Sequence, residues 1–293
     1  MENDTPQHAG SVKKGLILEG GAMRGLFTCG VMDVLMERGV RFDGAAGVSA
    51  GAVFGSNYKS QQIGRPRRYN KRFCRDPRYG SLRSLIKTGD YYGADFCYRE
   101  LPDVLDPFDS ATFKNNPMEF YVAATDAHTG ECVYHKCTDG GEADIQWMRA
   151  SASMPLVSKP VAVDGRLLLD GAISDSVPFA FMENLGYNRN VIVLTQPAGY
   201  VKRKSAAFPL IRLLLRRYPA VVQALATRHE MYNRQMAAIK QREDAGASFV
   251  IRPPQPLGIS RTEHNPDELE RVYQTGRAEA EKHLAALRRF LDG

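Results

Sequence analysis

Within the first sixty residues one pattern occurs twice: a short apolar or small-residue run, a glycine-rich turn, and then helical spacing. KKGLILEGG closes its apolar run with glycines, as a first strand buried on both faces does. A helix is predicted from about Arg24 to Glu37, with Leu26, Phe27, Val31, Val34 and Leu35 on one stripe and Arg38-Gly39 as its stop. VRFDGAAGVSAGAVFG then reads as a second strand, a turn at Ser49 and another helix start. A βαβα opening of this kind favours a parallel sheet with helices on both faces.

At 293 residues and 43% hydrophobic, the chain can bury a sizeable core. The reading is a polar tail over residues 1–13 and one domain over 14–293, with a motif-bearing core at 14–196 and a C-terminal helical part at 197–293. Residues 59–116 show no clear period and predict loops and short helices. MEFYVAATDAHTGECVYH predicts two strands joined around Asp126 to Gly130, and PVAVDGRLLLDGAISD a hairpin turning at Asp164-Gly165. NVIVLTQ and ASFVIRPP predict further strands. The last segment predicts a helix capped by Asn265 and opened by Pro266, whose stripe includes Leu269, Val272, Gly276, Leu287 and Leu291.

The first fourteen residues lack an apolar signal region, and no run approaches the ~18 apolar residues of a spanning helix. A cytoplasmic protein is expected. Five cysteines without a CxxC pair argue against a disulfide framework and a zinc ribbon. Cys132 and Cys137 flank His135, but that stretch alternates as a strand does, so no metal and no cofactor is expected.

The net charge of +6 is unevenly spread. RPRRYNKRFCRDPR (65–78) carries seven cations and Asp76, and KRKSAAFPLIRLLLRR (202–217) six cations and no acid, so the remainder sums to −6. Two such segments suggest an anionic partner surface. The second interleaves its charges with Phe208, Leu210, Ile211, Leu213, Leu214 and Leu215, which suits peripheral contact with an anionic membrane on its inner face as well as it suits a core helix with a solvated side. The first interleaves Tyr69 and Phe73, but no nucleic-acid module surrounds it and no nucleic acid is expected as a partner.

Three short motifs carry chemistry. Ser49 lies in GVSAG, where Gly47 and Gly51 would allow a sharp strand-to-helix turn that exposes a nucleophile. EGGAMRG, Glu19 to Gly25, follows the first strand and would point successive amides at one anion. The same loop with Asp43 also fits the phosphate loop and ribose acid of a nucleotide-binding fold, although Ala22 stands where such a loop needs glycine. Asp170 opens DGA, with Gly171 and Ala172, at the end of a predicted strand.

In this order, GGAMRG, GVSAG and DGA resemble the patatin-like phospholipases over roughly residues 14–195, and ASASMPLVSKPVAVDGRLLLDGAISDSVP resembles bacterial members especially. The resemblance implies a three-layer α/β/α fold with a central, mostly parallel sheet between helices. It implies a serine acyl hydrolase of lipids, with Ser49 as nucleophile and Asp170 as general base. Gly20, Gly21, Ala22 and Arg24 would form the oxyanion loop, closed by Gly25. Ala22 departs from the family's third glycine, and if that position needs positive φ the substitution carries strain.

A carboxylate with a pKa of ~3.9 is a poor base toward a serine hydroxyl. The dyad therefore predicts a buried Asp170 with a raised pKa, touching Ser49. The competing triad would need a histidine from His229, His264 or His283. The competing function is a module that binds nucleotide or anionic lipid without turnover.

Overall fold

The computed structural model describes residues 12–293, so residues 1–11 of the expected tail lie outside the described residues. β1 (Lys14–Leu18) leads through a single 3-10 turn (Ala22–Arg24) into α1 (Gly25–Glu37), and β2 (Gly44–Val48) into α2 (Ala50–Lys59). The aperiodic stretch holds α3 (Arg65–Phe73), α4 (Leu82–Thr88), a wide-turned π-helix (Phe96–Leu105) and α5 (Ser110–Asn115). Next come β3 (Glu119–Asp126), β4 (Cys132–Cys137), α6 (Glu142–Ser151), β5 (Val161–Val163) and β6 (Arg166–Asp170). The chain closes with α7 (Phe179–Asn184), β7 (Arg189–Val193), α8 (Phe208–Leu214), α9 (Pro219–Asp244), β8 (Ser248–Ile251) and α10 (Pro266–Asp292).

All eight strands join one sheet in the order β5-β6-β3-β2-β1-β7-β8, with β4 also on β3. The pairs from β3 through β2, β1 and β7 to β8 are parallel, and β4, β5 and β6 add antiparallel pairs. Successive residues of the parallel strands face opposite layers. Leu16, Leu18, Ala45, Val122, Val191 and Val193 pack with α1, α2, α3 and α10 on one face. Ile17, Ala46, Tyr121, Ile192 and Leu194 pack with α7 and α9 on the other. The result is a three-layer α/β/α arrangement with a mostly parallel sheet.

The register of β3 positions the site. β4 runs along one edge of β3, pairing from Phe120 to Thr125. On the other edge β2 pairs only as far as Val48, opposite Ala123, and β6 comes from the opposite direction to end at Asp170, opposite Ala124. Two strands thus meet head to head on one edge of a third. The residues at the junction are Ser49, just after β2, and Asp170, the last of β6.

The β5–β6 turn has positive φ at both central residues, Asp164 (49°) and Gly165 (71°), as a two-residue hairpin requires. Asn265 caps α10 by accepting from the Asp267 amide at 3.0 Å, and Pro266 fills the first turn. The stripe of α10 docks on α1, where Gly30 and Gly276 let the helices cross backbone to backbone. A Cβ on Gly276 would lie 2.0 Å from the Phe27 carbonyl oxygen, and one on Gly30 2.1 Å from that of Tyr273. Gly276→Ala should therefore lower stability by ~1–3 kcal/mol through overpacking, read as a lower urea midpoint at unchanged m value.

Candidate active site

Ser49 sits between β2 and α2 with φ 55° and ψ −124°, a conformation costing a non-glycine residue ~1–3 kcal/mol. The turn is possible because its neighbours have no side chain. A Cβ on Gly47 would stand 2.3 Å from the Gly51 carbonyl oxygen, and one on Gly51 2.3 Å from that of Leu18. The Ser49 amide donates to Ser151 Oγ at 2.9 Å, and Ser151 Oγ donates to the Ala123 carbonyl at 2.6 Å. Buried Ser151 thus pins the strained turn to β3.

Ser49 Oγ donates to Asp170 Oδ2 at 2.8 Å, and the Ala172 amide donates to Oδ1 at 2.8 Å. Asp170 is 1% exposed, and burial pushes its carboxyl up to about 6, against Arg228, the Ser49 hydroxyl, the Ala172 amide and Arg261. Gly171 lets the chain turn under β3, since a Cβ there would lie 2.3 Å from the Ala123 carbonyl oxygen.

The glycine loop lies directly beneath the serine. A Cβ on Gly20 would stand 2.8 Å from both Ser49 Cβ and the Val48 carbonyl oxygen, and one on Gly25 2.9 Å from the Phe54 ring. The Gly20, Gly21 and Ala22 amides donate to no acceptor among the described residues, and they precede the N-terminus of α1. Ala22 has φ 50°, so the left-handed backbone of a glycine is retained with a methyl group on it. Beneath the loop, buried Glu19 accepts from the Thr195 amide (2.6 Å) and the hydroxyls of Thr195 (3.1 Å) and Tyr232 (2.8 Å). Arg24 follows the loop, its Nε buried without a hydrogen-bond partner.

A cavity of about 150 Å³ opens from Ser49 and Ala22 toward a largely apolar wall that includes Phe54, Tyr69, Tyr98, Leu101 and Phe108. The π-helix supplies Tyr98 and Leu101, and α3 supplies Tyr69. A donor set, a hydroxyl bonded to a buried carboxylate and an apolar slot thus converge on one point.

The alternatives weighed from sequence fall elsewhere. His264 bonds through Nε2 to Tyr91 (2.8 Å) and through Nδ1 to the Cys74 carbonyl. His283 lies beside Glu279 and His229 beside Glu230. Among the described residues no histidine contacts Ser49 or Asp170. Asp43 clips the start of β1, accepting from the Lys14 amide at 2.7 Å, at the opposite end of the sheet from the glycine loop. His135, Cys137 and Asp144 come within 4.8 Å of one another. Asp144, however, already accepts from His135 and from the amides of Thr138, Asp139 and Gly140, so it closes a loop.

Of the first basic segment, Arg67 and Lys71 pair with Glu270, Arg65 and Arg68 with Asp106, and Arg78 with Asp76 and Glu100. Five of that segment's seven cations thus have carboxylate partners within the fold. Sequence reasoning missed Ser151 as a site residue, although it lies in ASASMP, and it missed Arg228, whose Nε donates to the Ala172 carbonyl at 2.5 Å.

A family model described as patatin-like phospholipase matches residues 16–182, and a domain of unknown function, DUF6363, matches 218–292. An uncharacterized NTE family protein of Mycobacterium tuberculosis is 31% identical over 170 residues, covering 58% of this chain and 45% of that protein. A lysophospholipase of Emericella nidulans is 28% identical over 185 residues (59% and 11%), and the uncharacterized protein YjjU of Escherichia coli 28% over 189 (62% and 52%). The match therefore spans less than half the length of the mycobacterial relative. The solved structure of VipD from Legionella pneumophila aligns with a TM-score of 0.46 at 12% identity, over 96% of this chain and 67% of that one.

The strain at Ala22 is testable. Left-handed backbone costs an alanine ~1–2 kcal/mol, while glycine loses ~0.5–1 kcal/mol more conformational freedom on folding. Ala22→Gly should therefore stabilise the protein, by about 1 kcal/mol or less, and raise the melting temperature; a lower melting temperature would show that the loop is built around the methyl group.

Proposed function

Because the chain belongs to the patatin-like phospholipase family, we propose that it hydrolyses the carboxylic ester of an acyl lipid, most simply a phospholipid or lysophospholipid, through a Ser49-Asp170 dyad. The 2.8 Å hydrogen bond from Ser49 Oγ to the buried Asp170 carboxylate carries this reading. In acylation Asp170 takes the Ser49 proton as Oγ bonds to the ester carbon. Charge develops on the carbonyl oxygen, within reach of the unpaired Gly20, Gly21 and Ala22 amides. Collapse breaks the bond to the alcohol, which leaves with the proton from Asp170. Water then gives its proton to Asp170, attacks the acyl-serine and releases a fatty acid while Ser49 regains its hydrogen. The apolar cavity would hold the acyl chain.

A base raised to about 6 meets the requirement that proton transfer be matched to neutral pH. Asp170 must be ionised to act, so kcat/KM for a short p-nitrophenyl ester should rise with unit slope below about pH 6 and be flat above it. A fluorophosphonate probe should label Ser49, label Asp170→Asn far more slowly, and leave Ser49→Ala unmodified. Labelling of Ser49→Ala, or none of the native protein, would sink the proposal.

Delivery of an aggregated lipid assigns a role to α8. Leu210, Leu213 and Leu214 are 52%, 61% and 59% exposed, and exposed Arg203, Lys204, Arg212, Arg216 and Arg217 surround them. Among the described residues none of these cations has a carboxylate within 4.0 Å, in contrast to the first basic segment. We read α8 as resting on an anionic bilayer at its inner face, with each cation contributing ~1 kcal/mol near the surface. Anionic vesicles at low salt should retain the native protein, and Leu213→Ser with Leu214→Ser should release it without lowering the melting temperature; equal retention of both would remove the role.

A further inference from the structure

Resting on the lipid-hydrolase reading, we infer that the segment after β7 completes the site with a phosphate subsite for the lipid head group, built from Lys202, Arg228 and Arg261. Arg228 reaches in from α9. Its Nε holds the Ala172 carbonyl, and the amide of the same Ala172 holds Asp170, so the guanidinium lies one residue from the base. Among the described residues its terminal nitrogens have no hydrogen-bond acceptor. Lys202 is clamped through its backbone by the Asn233 side chain, which donates to its carbonyl at 3.0 Å and accepts from its amide at 2.9 Å. That places its ammonium over the Tyr232 ring, 4.2 Å from the centroid, and Tyr232 in turn bonds Glu19 beneath the glycine loop. Arg261 lies in the loop between β8 and α10, and its carbonyl accepts at 3.1 Å from the hydroxyl of Tyr92, a cavity-lining residue.

The three cations are close enough to disturb one another and the dyad. Burial pushes the Lys202 ammonium down to about 8, helped by Arg228, Arg24 and Arg261 and opposed by Glu19. Arg228 and Arg261 both favour the ionised form of Asp170. Arg24 lies in the same neighbourhood, and among the described residues none of the four cations has a carboxylate within 4.0 Å. Cations clustered without a paired carboxylate suit a phosphate group of one to two negative charges. None of the three lines the apolar cavity. The head group would therefore sit outside the pocket that takes the acyl chain. Arg228 and Arg261 both fall within the segment that matches the domain of unknown function, so this assigns that segment a part in substrate binding.

The test has an arm that does not depend on turnover. Inorganic phosphate and sn-glycerol 3-phosphate are titrated calorimetrically into Ser49→Ala protein; both should bind saturably, about tenfold more weakly when Lys202→Gln or Arg261→Gln is added and equally well when the control Arg234→Gln is added. Arg228→Gln is avoided because Arg228 touches the peptide next to the base. In the otherwise native enzyme, kcat/KM for an acyl lysophosphatidate relative to the monoacylglycerol of the same chain should fall about tenfold in Lys202→Gln and Arg261→Gln. No phosphate binding with an unchanged ratio overturns the subsite. Phosphate binding with an unchanged ratio overturns the head-group assignment and leaves a free anion as occupant. If the native protein hydrolyses neither ester, the hydrolase reading fails while the calorimetric arm still decides whether the cations hold phosphate.

Discussion

The site depends on β3 being longer than β2. β3 extends through Ala124 to Asp126, past the point where β2 stops at Val48, and this excess edge gives β6 a place to pair in the opposite direction. A strand arriving from one end and a strand arriving from the other leave Val48, the residue before Ser49, and Asp170 opposite consecutive residues of β3, Ala123 and Ala124. The 2.8 Å contact between Ser49 and Asp170 is thus fixed by backbone register as well as by side-chain choice. A one-residue slip of β6 would turn Asp170 to the other face of the sheet. The hydrogen bonds from the Ala127 amide to the Leu167 carbonyl and from the Asp170 amide to the Ser153 carbonyl oppose that slip from both sides.

Such a site is held against its own preferences. Ser49 and Ala22 both have positive φ, and Asp170 is ionised in a place that favours the proton. A folded-state pKa of about 6 against the ordinary 3.8 means that the neutral acid stabilises the fold at low pH, and that this stabilisation is lost as pH rises toward and through 6. At neutral pH the difference amounts to ~3 kcal/mol, a sizeable part of the ~5–15 kcal/mol net stability of a domain. The surrounding structure offsets it with Ser151 under the elbow, Ala172 on the carboxylate and Thr195 and Tyr232 on Glu19. Among the described residues no imidazole stands between Asp170 and Ser49 to supply basicity. What destabilises the fold here is the property the proposed chemistry needs.

What could be read from sequence was local. The opening strands and helices, the Asp164-Gly165 hairpin and the Asn265 cap each declare themselves within a few residues, because glycine freedom, turn chemistry and apolar period act at short range. Ser49, Asp170 and the glycine loop stand out for the same reason, and the condition placed on Ala22 was a statement about one φ angle. The convergence of Ser49 with Asp170, separated by 121 residues, came only through family resemblance. Ser151, Arg228 and Tyr232 carry no local signature: each looks like an ordinary helical residue until the sheet brings it to the loop. The basic segments show the same limit. Equal in net charge, one is largely paired with Glu270 and Asp106 while the other has no carboxylate partner among the described residues, and the difference lies in distant acids.

The C-terminal helices pack onto the motif-bearing core. Leu269, Val272, Leu287 and Leu291 of α10 are buried against the layer that includes α1, and at ~1.5–3 kcal/mol for each such side chain their burial is comparable to the whole stability of a domain. The Gly30–Gly276 crossing brings backbone to backbone, which fixes where α10 lies and so where the loop before it, carrying Arg261, can reach. On the other face, the Tyr232–Glu19 bond ties α9 to the base of the glycine loop, so the loop's position depends on a residue more than two hundred positions away. The strand-end motifs place Ser49 and Asp170, but α9 and α10 hold the floor under them and set the charge beside them.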